Sequence, residues 1–62
     1  MYQVEKLNSP TGRDNVIVVS MQGRRVGSAS LRFVRWMNDC VPKSQLRPEQ
    51  AAMVDWLNRQ TH

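Results

Sequence analysis

The stretch Val16-Ile17-Val18-Val19-Ser20-Met21-Gln22-Gly23-Arg24-Arg25-Val26 decides how this chain begins to fold. Its first four residues are all β-branched, and branching at Cβ restricts χ1 in a way that suits a pleated strand. Residues 16–21 therefore predict a strand. Gln22-Gly23 supplies a two-residue hairpin turn, because glycine takes positive φ at no steric cost. An uninterrupted ladder from that turn sets Val19 opposite Val26 and Val18 opposite Gly27, with Arg24 and Arg25 on opposite faces. Residues 24–30 read either as the returning strand or as an irregular lead into a helix.

Upstream, residues 2–7 alternate, with Tyr2, Val4 and Lys6 on one face and Gln3, Glu5 and Leu7 on the other. That period of two predicts a short edge strand. Asn8-Ser9-Pro10-Thr11-Gly12-Arg13-Asp14-Asn15 gathers most turn-forming residue types and predicts a loop.

Downstream, the period changes at Ser28, a candidate N-cap. Ala29, Phe33, Trp36, Met37, Cys40 and Val41 fall on one helical arc with Val34 at its edge, while Arg32, Arg35, Asn38 and Asp39 fill the other. Pro42 ends this helix, since the residue before proline avoids the α region. Arg47-Pro48-Glu49-Gln50 opens a second helix, with proline at its first position and an acid in its first turn. Met53, Val54, Trp56 and Leu57 form its apolar stripe. The expected fold is a single α+β domain over residues 1–62: a β-hairpin or three-stranded antiparallel meander followed by two helices.

A chain of 62 residues, 40% hydrophobic and 23% charged, is globular in composition. At this size only about 60% of the unfolded surface is buried, so the core is thin. The single cysteine, Cys40, excludes an internal disulfide and a cysteine-rich metal site. It reads as a buried, inert thiol on the apolar arc. Residues 1–6 lack a signal-peptide pattern, and the longest apolar run, residues 16–19, is far too short to span a bilayer. A cytoplasmic protein with no membrane partner is expected.

Charge is unevenly placed. Residues 24–47 hold Arg24, Arg25, Arg32, Arg35, Lys43 and Arg47 against Asp39 alone, a net +5, and the rest of the chain sums to −1, which gives +4 overall. Seven of the nine basic residues are arginine, whose planar fork binds phosphate or carboxylate bidentately. These six residues are the candidate contacts for a polyanion. A helix-turn-helix fits poorly, because the connector at residues 41–47 is too long for that motif. Tyr2 is the one aromatic on a candidate strand, so a stacking platform on the sheet is excluded as well. Arginines presented to a duplex backbone remain.

Catalytic chemistry has little to build on. His62 is the sole histidine and the last residue, Cys40 has no histidine to activate it, and the five acids are scattered. No glycine-rich phosphate loop, metal motif or cofactor signature is present. Trp36, Met53, Trp56 and Leu57 are candidates for a protein interface, since tryptophan beside arginine has hot-spot composition. A homodimer through Met53, Trp56 and Leu57 would also thicken the core. The expected function is thus a small basic, non-catalytic binding protein. Its favoured partner is nucleic acid, in an accessory or regulatory role. The alternative is an inhibitor or adaptor docking the same surface onto an acidic groove of another protein.

Overall fold

A computed structural model describes residues 1–8 and 15–60. Most of the expected loop, at residues 9–14, and His62 lie outside the described residues. The elements run β1 (Tyr2–Asn8), β2 (Asn15–Met21), β3 (Arg24–Ser30), α1 (Leu31–Cys40), a short 3-10 turn at Lys43–Gln45, and α2 (Pro48–Gln60). The strands form an antiparallel meander with β2 in the centre, and residues 24–30 are its third strand rather than an irregular lead. The α+β arrangement expected from the sequence is the one observed.

β1 pairs with β2 from Tyr2 opposite Met21 to Asn8 opposite Asn15. The β2–β3 turn is two residues long, with Gln22 at φ 54° and Gly23 at φ 80°. Positive φ at both central positions matches the right-handed twist of the flanking strands. The ladder then departs from the simple register. Arg24 faces Met21 and Arg25 faces Ser20, but Val19 meets Gly27, leaving Val26 as an extra, bulged residue. A one-residue slip exchanges the two faces of a strand. Here it turns Gly27 and Ala29 toward the helices and Ser28 toward the open face. Position 27 comes close to α2: a Cβ there would stand 3.1 Å from Glu49 Cγ, so that side chain would have to give by a few tenths of an ångström.

Ile17, Val19, Val34, Met37, Met53, Val54 and Leu57 make one core between sheet and helices. Val18 is also buried, on the helix-free face between Glu5 and Ser28 of the neighbouring strands. α1 follows β3 with no loop between them. Its N-cap is Ser30, not Ser28, and the Ser30 hydroxyl accepts the Phe33 N–H at 3.1 Å. At the far end the Val41 N–H donates to the Met37 carbonyl at 3.0 Å before Pro42 stops the helix. α2 begins with half of a capping box, in which Gln50 Oε1 accepts the Arg47 N–H at 3.0 Å.

The apolar arc expected on α1 is corrected by this phase. Leu31, Val34, Met37 and Val41 face the core, while Phe33, Trp36 and Cys40 stand at the surface. The direct junction with β3 fixes where the helix begins, and that start rotates the inward arc by roughly a quarter-turn from one centred on the rings. Cys40 is consequently exposed rather than a buried thiol. The expected interface stripe on α2 is corrected too. Met53, 2% exposed, and Leu57, 7% exposed, lie in the chain's own core, with Trp56 half-buried against it. The apolar surface of Met53 and Leu57 is therefore largely covered within one chain, while Trp56 keeps part of its ring at the surface.

Candidate functional site

The outward side of α1 carries the most unusual surface of the molecule. Each helical residue advances about 100°, so Arg32 and Trp36 share a face, with Phe33 and Arg35 on its two margins. The Phe33 and Trp36 rings stack on each other, their centroids 5.6 Å apart and their planes 26° from parallel. Even so, Phe33 is 42% and Trp36 51% exposed. Such rings normally contribute most to folding when buried. Here they are held against each other in water.

The charges on this helix also run against its own dipole. Arg32 occupies the second helical position and Asp39 the last but one, and α1 has neither an acid in its first turn nor a base in its last. Each misplaced charge costs about 0.3–1 kcal/mol at the surface. α2 has the opposite and favourable arrangement, Glu49 in the first turn and Arg59 in the last. Departures from local rules tend to collect where function imposes them.

The six candidate basic residues do not form one patch. Arg24 and Arg25 flank the turn, with their side chains on opposite faces of the sheet. Ser30, where α1 begins, is five residues beyond Arg25, about 17 Å along the strand. Arg32 and Arg35 stand alone on α1. Lys43 pairs with Asp55 at the surface, Nζ to Oδ1 at 2.6 Å, with more than half of each side chain exposed. That ion pair is the one found among the described residues, so Arg24, Arg25, Arg32, Arg35 and Arg47 have no carboxylate partner there. Arg47 is exposed at the start of α2.

Among the described residues, no buried side chain is polar or charged, so every polar group that could act lies at the surface. No group of three or more His, Cys, Asp or Glu is placed there to hold a metal ion. No helix among them is long and apolar enough to cross a membrane. Sequence reasoning missed Phe33 as a surface residue and assigned Trp36 to an apolar arc. The signal that could have corrected both is the spacing of Leu31, Val34, Met37 and Val41, a second stripe that fits a core without aromatic rings. No family model, curated protein or solved structure matches the chain.

Proposed function

We propose that this is a non-catalytic binding protein that holds nucleic acid through the outer face of α1. The observation that carries the reading is the pair Arg32 and Arg35. Both are exposed, without a carboxylate partner among the described residues, and Arg32 is placed where it opposes the helix dipole. Guanidinium groups left in this state are suited to phosphate oxygens, which they bind in a planar fork. Arg24, Arg25 and Arg47 extend the positive field and are secondary contacts for a long polyanion. Lys43 adds less to that field, because the neighbouring Asp55 offsets its charge.

Binding of a labelled oligonucleotide, followed by anisotropy across salt concentrations, tests the reading. Affinity should fall steeply with salt, because releasing condensed counterions into a more concentrated solution gains less entropy. The double variant Arg32→Ala with Arg35→Ala should flatten the slope by about one unit per lost phosphate contact. Affinity that ignores salt would sink the proposal. A second reading, docking onto an acidic groove of another protein, is favoured by exposed Trp36 beside Arg35. Formation of a complex with an acidic protein that survives nuclease treatment would select it.

A further inference from the structure

We infer that α1 takes nucleic acid as a single strand, with unpaired bases stacked on the Phe33–Trp36 pair while Arg32 and Arg35 hold the phosphates. The inference rests on the nucleic-acid reading of the same helix and names the form of the ligand.

Arginines alone do not select a single strand, since both forms present phosphates and the duplex presents them more densely. The rings do. In a duplex the base faces are closed by their neighbours, and a side chain reaches them only after a step is unstacked. In a single strand every base offers a free π-face, and proteins that hold such strands combine cationic side chains with exposed aromatics. Phe33 and Trp36 have that form. Their planes are within 26° of parallel and both rings keep a large open surface.

Their direction is favourable as well. Asn38, bonded to Asn58 of α2, marks the flank of α1 that faces α2. Trp36 lies two residues earlier, about 200° around the helix, and so faces away from α2. α1 packs over β2 and β3, and β3 is an edge of the sheet, so the rings border an open side of the domain. Arg32 shares a helical face with Trp36 four residues on, and Arg35 stands about 100° to the side of Trp36, so cations border that ring along the helix. Partner and surface are also complementary in charge, a polyanion against a chain of net +4.

The test compares a labelled single-stranded oligonucleotide of about 20 nucleotides with the duplex it forms with its complement. The whole chain should bind the single strand about tenfold more tightly at low salt. Trp36→Ala, and separately Phe33→Ala, should abolish that preference and leave a salt-dependent affinity for the single strand that is no greater than that for the duplex. Both side chains lie outside the core, so circular dichroism of the variants should match the parent. In a Trp56→Phe chain, where Trp36 is the sole tryptophan, single strand should quench the emission and duplex should not.

Equal affinity for the two ligands, or a preference that survives Trp36→Ala, overturns the stacking inference and leaves the phosphate reading standing. Failure to bind either ligand at low salt overturns both together and directs attention to an acidic protein groove.

Discussion

The two helices of this domain each carry a tryptophan, a methionine of the core and an arginine, yet they use them in opposite ways. On α2, Met53, Val54 and Leu57 are buried, Trp56 packs against the core, and the terminal charges agree with the dipole. On α1, Val34 and Met37 carry the inward contact while Phe33, Trp36 and two arginines face water. α2 is thus a structural helix by every local criterion. α1 keeps its largest apolar groups outside and tolerates adverse charges, which is costly for a domain with so thin a core. Hydrophobic character alone does not decide which side of a helix is buried; the direction from which the chain enters it does.

The contrast can be broken most severely from the shared core. Met37→Ala and Met53→Ala should each cost about 2–5 kcal/mol, because both side chains are almost fully enclosed. Chemical denaturation should show equal damage from the two helices, since inward they play the same part.

The tryptophans should then separate them. Trp56→Ala should destabilise by about 2–3 kcal/mol, short of the full core penalty because the ring is half-buried. Trp36→Ala should cost less than about 1 kcal/mol, the worth of one exposed ring stack. Equal losses would mean that Trp36 supports the fold and would undo the distinction.

Removing the cap should follow. Ser30→Ala leaves the Phe33 N–H without its acceptor and should cost about 1 kcal/mol, several degrees in the melting temperature of a domain this small. A subtler effect has the opposite sign. Arg32→Glu places an acid in the first turn and should raise stability by about 0.5 kcal/mol while weakening oligonucleotide binding. Loss of stability, or retained binding, would remove the case that α1 gives up stability for contact. The smallest effect belongs to Lys43→Ala, at most about 0.5 kcal/mol, because more than half of each partner's side chain is solvent-exposed in its pair with Asp55.

Much of the fold was readable in the chain for local reasons. The β-branched run of β2, the Gln22-Gly23 turn and the Pro48 opening of α2 act over a few residues, and their elements formed as expected. The bulge at Val26 was not readable by counting from the turn. Its trace lies in Gly27-Ser28-Ala29-Ser30, where the small apolar side chains must face the helices and the serines must not. The phase of α1 was misjudged because phenylalanine, tryptophan and cysteine rank high in hydrophobicity, whereas the loopless junction at Ser30 set the rotation. Charge was legible as a sum but not as a surface. Strand length separates the turn arginines from the helix arginines, and Asp55, twelve positions along the chain, claims Lys43.

One consequence of the packing of α2 concerns how the domain assembles. α2 rests on β1 as well as on β2, so the last element touches the first. The hairpins and the β3–α1 unit join neighbours in the chain and can arise early, but this contact must close nearly the whole length upon itself. Loop closure of that kind loses entropy before any contact rewards it. The docking of α2 is therefore expected late in folding, and its removal would uncover the half-buried Tyr2 and Val4 of β1. The chain's two extremities behave as a single clasp. Hydrogen exchange should therefore show α2 and β1 opening with similar free energies, although more than twenty residues of sheet and helix lie between them.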